Sequence, residues 1–240
     1  MASIIYFGKD TRIRAMLEPF FQERLKESGE THAILQVNDD KSFNESIEAM
    51  SFDVTFVEQT MLPATPNDWL VSIHKTKPLL KGPMILVGTE QNMTKIMKWI
   101  DGGWTDFISF PPDKSILIEK VWMYASGKRS SDLRQVYSIA MSGEVNLARV
   151  SQFEELSEFD CKVRTTSAIP VGDTMLLFSS AFSIEPSGMG TALGRCYQSI
   201  PHVSQKDAFM TSFYFLGLTS ETMTVIRNSL RKQFISGKSK

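Results

Sequence analysis

Apolar residues in the first half of the chain fall into short continuous runs, each followed by an amphipathic stretch. The runs are Ile4–Phe7, Ala33–Val37, Asp53–Val57, Pro83–Val87 and Asp106–Phe110. Continuous runs of this length read as strands covered on both faces. Between them, apolar positions recur at helical spacing: Ile13, Met16, Leu17, Phe20 and Leu25; then Phe43, Ile47 and Met50; then Trp69, Leu70 and Ile73; then Met93, Ile96, Met97 and Ile100. Asp10 or Thr11 can cap the first of these helices, and Thr65-Pro66 opens the third with a capping hydroxyl and a proline at the first helical position. The fourth stops at Gly102-Gly103, and Asp113 opens a last helix reaching about Ser126. Strands alternating with helices in this way predict a parallel sheet with helices on both faces.

The pattern then changes. Ser126–Asp132 is short, polar and glycine-containing, as a linker would be. Beyond it come short strand-like stretches at Val136–Met141, Val145–Val150, around Val163, Thr174–Phe178, Leu193–Tyr197 and Met210–Leu216. Pro170-Val-Gly-Asp173 reads as a turn, because proline fixes φ and glycine accepts positive φ. Ser187–Gly194 reads as a mobile connection, and Thr219–Phe234 as a closing helix with Met223, Ile226, Leu230 and Phe234 on one stripe. The tail Gly237–Lys240 is expected to be disordered. The resulting organisation is an α/β domain at 1–126, a linker at 127–133 and a β domain at 134–240.

Composition narrows the function. A length of 240 residues suits two domains rather than one small barrel, and a formal net charge of −1 offers no basic field for nucleic acid. Two cysteines without a CxxC argue against a disulfide framework or a cysteine zinc site, and fit a reducing cytosol. The histidines, His32, His74 and His202, are too scattered in sequence to suggest a metal or catalytic set. Ser187–Gly194 has glycines but neither a Walker lysine nor the dinucleotide-binding spacing. Nothing here points to an enzyme, a metal or a cofactor. Ile4–Phe7 is too short for a signal peptide and no apolar run reaches membrane-spanning length, so a cytoplasmic protein is expected.

The first half resembles a response-regulator receiver domain, which is flavodoxin-like. The resemblance rests on Asp53–Val57 followed by Met61-Leu-Pro63, on Gly88-Thr89 after the fourth strand, and on Asp106–Asp113. It implies a phosphorylation site made of an acidic pair after strand one, an aspartate ending strand three, a hydroxyl after strand four and a lysine after strand five. Here Gly8-Lys9 stands at the acidic pair, with Asp10 the nearby acid. Counting from Asp53 puts Glu58 at the phosphoacceptor position, and counting back from Pro63 puts Gln59 there. Thr89 keeps the hydroxyl, and Phe110 replaces the lysine. The expectation is a pseudo-receiver, which keeps the fold without phosphotransfer. Its last helix is apolar over more than one stripe, which makes Trp122 and Met123 candidates for an interface with a second copy, the other domain or another protein.

The second half resembles the PilZ domain, a small β-barrel with a closing helix that in many bacteria binds cyclic di-GMP. The resemblance is carried by Glu155-Leu-Ser157-Glu-Phe-Asp160, Val163-Arg-Thr165, Ile169–Asp173 and Phe213–Leu218. It implies ligand contacts from two arginines before the first strand and from a polar loop. Arg129 and Arg134 stand near the arginine positions, one residue too far apart, so on an extended segment they face opposite ways. Ser157 is kept, Glu155 is a longer acid, and Asp160 replaces a glycine whose left-handed backbone would strain it. Glu154, Glu155 and Glu158 would present a negative surface to a dianionic ligand. These substitutions predict weak or no cyclic di-GMP binding. The combined expectation is a non-enzymatic bacterial signalling adaptor acting through protein contacts in motility, pilus, polarity or exopolysaccharide control. The alternative is a cyclic di-GMP receptor using Arg129, Arg134 and the 155–160 loop.

Overall fold

The computed structural model describes residues 2–29, 31–63, 65–77, 80, 82–126, 139–146, 150–183, 185 and 188–237. The chain divides into two compact units, Met1–Leu133 and Arg134–Lys240.

In the first unit, β1 (Ala2–Phe7), β2 (His32–Val37), β3 (Val54–Glu58), β4 (Met84–Gly88) and β5 (Asp106–Ser109) form one sheet in the order β2-β1-β3-β4-β5. All four pairings are parallel. This is the flavodoxin-like order, in which strand one sits inside and the chain reverses direction beside it. The helices are α1 (Arg12–Ser28), α2 (Asp40–Ala49), α3 (Pro66–Thr76), α4 (Met93–Asp101) and α5 (Lys114–Ser126). Capping follows the expected chemistry: Asp113 Oδ1 accepts the N–H groups of Ser115 and Ile116 at 3.0 and 3.1 Å, satisfying donors that the helix start leaves open.

The continuous apolar strands are explained by a core on each face. On one face Ile4, Tyr6, Val54, Phe56, Ile85 and Val87 pack with Ile13, Leu17 and Phe21 of α1 and with Leu117, Ile118 and Val121 of α5. Elsewhere in the unit an aromatic series runs from Phe43 of α2 through Phe7 and Trp69 to Trp104, with centroid separations of 4.6, 6.4 and 6.1 Å. Charge is drawn into this apolar framework at the head of β5. Asp106 is fully buried there, and its carboxylate accepts from the Phe107 N–H, the Lys120 ammonium and the Tyr124 hydroxyl.

The second unit is a closed antiparallel barrel with strand order β10-β11-β8-β7-β6-β9. Its strands are β6 (Ile139–Asn146), β7 (Val150–Leu156), β8 (Asp160–Thr165), β9 (Thr174–Ser179), β10 (Gly190–Pro201) and β11 (Phe209–Leu216), followed by helix α6 (Ser220–Gly237). Phe182, from a single 3-10 turn at Ser180–Phe182, meets Phe153 and Phe215 edge to face at 5.8 and 5.6 Å. Cys161 and Cys196 are both buried opposite Phe213, one on each neighbouring strand. Two strand spacings separate them, about 9–10 Å, too far for a disulfide.

Several expected boundaries shift. Val145 belongs to β6, not to the start of the next strand, and β7 begins only at Val150. Residues 136–138, the linker 127–133 and the tail 238–240 lie outside the described residues. Gly190–Gly194 is not a connection but the start of β10. Its glycines are required by close packing: a Cβ at residue 190 would run into the Phe182 carbonyl, and one at 194 would press on Leu177 and Phe213. Glycine there marks a crowded strand, which composition cannot distinguish from a loose loop. Among the described residues no helix is long and apolar enough to cross a membrane.

Candidate functional site

Open parallel sheets place their functional groups at the carboxyl ends of the strands, where the loops after β1, β3, β4 and β5 converge. β3 ends at Glu58, and Gln59 opens a 3-10 turn to Met61, so the strand-end position belongs to Glu58. Its carboxylate is fully engaged. Oε2 accepts the Tyr6 hydroxyl at 2.9 Å and the backbone N–H groups of Lys9 and Asp10 at 2.9 and 3.3 Å, and Oε1 accepts the Thr60 hydroxyl. Burial alone would raise the Glu58 carboxyl, but these donors outweigh it and hold its pKa below the ordinary value. The Tyr6 phenol is displaced upward, first by its burial and then by its bond to Glu58.

The loop after β1 is held from its other side as well. Gln36 on β2 donates from Nε2 to the carbonyls of Gly8 and Asp10 at 3.0 and 3.2 Å. Asp10 pairs with Arg12 at 2.7 Å, and that bond holds its carboxyl below the ordinary range. The Arg12 guanidinium lies 4.2 Å over the ring of Phe110, at the position where the receiver resemblance calls for lysine. Gln59 turns its side chain across Gly88, where any Cβ would collide with its amide oxygen. Thr89, the retained hydroxyl position, follows directly.

Magnesium would need hard oxygen ligands free to coordinate. Glu58 spends its carboxylate on four protein donors and Asp10 spends its own on Arg12, so these residues do not fit the ion. Among the described residues no cluster of three or more histidine, cysteine or acidic groups could hold a metal.

The interface candidates on α5 are less exposed than their sequence suggests. Trp122 is half-buried and packs edge-on against Phe20 at 6.4 Å and His32 at 5.8 Å, and Met123 is half-buried. Ile116, Leu117, Ile118 and Val121 are buried, so the apolar excess on this helix is largely enclosed.

In the barrel, the 155–160 segment is a tight reversal between β7 and β8. Ser157 is buried, and its hydroxyl bonds the Asp160 carboxylate while accepting the N–H groups of Phe159 and Asp160 at 3.1 and 3.0 Å. The second Asp160 oxygen accepts the Tyr197 hydroxyl at 2.9 Å, and Tyr197 stacks with Tyr214. Asp160 has no left-handed backbone: Asp207 is the non-glycine residue with positive φ among the described residues. The expected strain is therefore absent, because Asp160 begins a strand instead of filling a glycine's turn position. The expected negative surface is also corrected. Glu155 pairs with Lys162 at 2.7 Å, Glu158 with Arg227 at 2.7 Å, and Glu154 lies 3.5 Å from Arg164. Arg129 and Arg134 lie outside the described residues.

The groups that sequence reasoning missed are Tyr6, Arg12, Gln36 and Thr60. Tyr6 carried the one available signal: a hydroxyl inside an otherwise apolar buried run must find a partner.

No family model matches the chain, and no curated protein matches it. Solved structures similar to it include the receiver domain of the Francisella response regulator 1452, at 16% identity over 53% of this chain and 98% of that one, TM-score 0.41. The chemotaxis response regulator CheY4 of Vibrio cholerae matches at 17% identity over 52% of this chain and 98% of that one, TM-score 0.41. The inhibitor of motility of Bacillus subtilis matches at 11% identity over 45% of this chain and 53% of that one, TM-score 0.37. At such identities the likeness concerns fold alone. The flavodoxin-like reading of the first unit rests on its own strand order, β2-β1-β3-β4-β5.

Proposed function

We propose that this protein is a non-enzymatic signalling adaptor: a pseudo-receiver joined to a degenerate PilZ barrel, acting through protein contacts. One observation carries the reading. The strand-end position of β3 holds a glutamate whose carboxylate is already bound by Tyr6, Lys9, Asp10 and Thr60. A carboxylate in that state is neither a nucleophile presented to a phosphoryl donor nor a metal ligand. The PilZ reading draws support from a closed six-stranded antiparallel barrel followed by a helix. The resemblance places such proteins in bacterial motility, pilus, polarity or exopolysaccharide control, in the cytoplasm. A protein partner is implied, with a second copy meeting the first unit through Trp122 and Met123 as one candidate.

Incubation of the protein with acetyl phosphate and Mg²⁺ should leave its intact mass unchanged. A stoichiometric gain of one phosphate, mapped to Glu58 or Gln59, would refute the adaptor reading of the first unit.

Cyclic di-GMP should bind more weakly than about 10 μM, measured by isothermal titration of the whole chain. A misplaced arginine forfeits roughly 1–3 kcal/mol by analogy with arginine–guanine contacts. Recruiting Ser157 or Asp160 would also break their mutual bonds, at about 1 kcal/mol each. Saturable tighter binding, abolished by Arg134→Ala, would establish the receptor alternative through Arg129, Arg134 and the 155–160 loop.

A further inference from the structure

The loop after β1 has its backbone groups tied down on both sides. The N–H of Gly8 donates to the Val37 carbonyl at 2.9 Å, the N–H groups of Lys9 and Asp10 donate to Glu58, and the carbonyls of Gly8 and Asp10 accept from Gln36. Arg12, just beyond, is fixed to Asp10 and laid on Phe110. Glu58 in turn ties Tyr6 of β1 to Thr60 of the 3-10 turn. Four segments that meet at the carboxyl edge of the sheet are thus cross-linked by side chains of this chain, and the carboxylates there are taken up by these bonds.

We propose that Glu58 is a built-in clamp that holds this edge in a single arrangement, so that the first unit presents a constant surface instead of a phosphorylation-dependent one. The inference rests on the reading of that unit as one that accepts no phosphoryl group, and goes beyond it by naming what replaces the switch. A carboxylate receiving several hydrogen bonds favours the one loop geometry that aims all donors at it, because charge-assisted bonds are the strong ones and the buried Tyr6 hydroxyl is costly to leave unmet. Tyr6 acts here as a positioning residue: it is fully buried, so its hydroxyl fixes the Glu58 side chain from below. Local opening of the loop must break these bonds together, which raises its opening free energy toward that of the core.

Amide hydrogen exchange of Lys9 and Asp10 in the 240-residue chain, followed by NMR at neutral pH, tests the clamp. Glu58→Ala should accelerate exchange at these two amides roughly ten- to hundred-fold, and Tyr6→Phe should accelerate the same amides less. Amides of β4 should keep their protection. If tryptophan emission shows that Glu58→Ala fails to fold, Tyr6→Phe carries the test alone. Unchanged exchange at both amides in the folded variants, or acceleration spread evenly over the whole unit, would overturn the clamp. The same sample treated with acetyl phosphate separates the two claims. No mass gain with unaltered exchange in the variants removes the clamp and leaves the adaptor reading standing. A mass gain in the parent protein removes that reading, and the clamp with it.

Discussion

Replacing Lys120 by methionine should cost the first unit about 3–5 kcal/mol of stability, the usual consequence of taking one partner from a buried ion pair. The side chains of Lys120 and Asp106 are 5% and 0% exposed, so solvent cannot take over when the ammonium is removed. Methionine keeps the length and apolar character of the lysine stem, which confines the change to the charge. The Asp106 carboxylate would retain the Phe107 N–H at 2.7 Å and the Tyr124 hydroxyl at 2.9 Å, but neither neutralises it. A double replacement, Lys120→Met with Asp106→Asn, should recover a large part of the loss, since both charges then disappear together. All four tryptophans, Trp69, Trp99, Trp104 and Trp122, belong to the first unit, so tryptophan emission in a urea titration reports that unit selectively. A loss below about 1 kcal/mol for Lys120→Met would mean that the pair behaves like a surface ion pair, and the burial argument would fail.

The same pair illustrates what the sequence disclosed and what it withheld. The parallel α/β framework was legible because its strands are continuous apolar runs bounded by turn residues, a pattern that backbone hydrogen bonding and double-sided burial dictate locally. Glu119-Lys120 inside the otherwise apolar Ile116–Trp122 stretch was equally visible, but only the fold brings Asp106 within reach of Lys120. The clamp was hidden for a related reason. Counting along the chain left Glu58 and Gln59 equivalent, and only the end of β3 distinguishes them. Gln36 and Thr60 are ordinary polar residues until four segments are placed side by side. In the barrel, Ser157 and Asp160 were read through a family's ligand loop, whereas their short side chains satisfy each other. Motif matching registers residue type and spacing, and cannot tell whether a polar group faces a ligand or its own neighbour.

The second large effect is expected at Gly190, where alanine should destabilise the barrel by about 3 kcal/mol, the upper part of the usual range for overpacking. The added Cβ would overlap the carbonyl carbon and oxygen of Phe182 and approach the Ser183 nitrogen to 2.6 Å. These are backbone atoms, so no rotamer change relieves the clash. The 3-10 turn at Ser180–Phe182 would have to move, and with it the Phe182 ring that packs edge-on against Phe153 and Phe215. Gly172 supplies the control. It adopts φ +98° in the turn before β9, and a Cβ there would meet nothing within 4 Å. Alanine at 172 therefore adds backbone strain without a collision and should cost less, about 1–2 kcal/mol. For a unit of this size each kcal/mol lowers the melting temperature by roughly 4–8 °C. Gly190→Ala should therefore melt about 12–24 °C lower by far-ultraviolet circular dichroism, and Gly172→Ala by about half as much. Limited proteolysis should place the new cleavages in 134–240, with tryptophan emission of the first unit retained. Equal stability of Gly190→Ala and the parent protein would show that β10 does not run against Phe182, and the strand assignment at 190–194 would then give way to the loop that its glycines suggest.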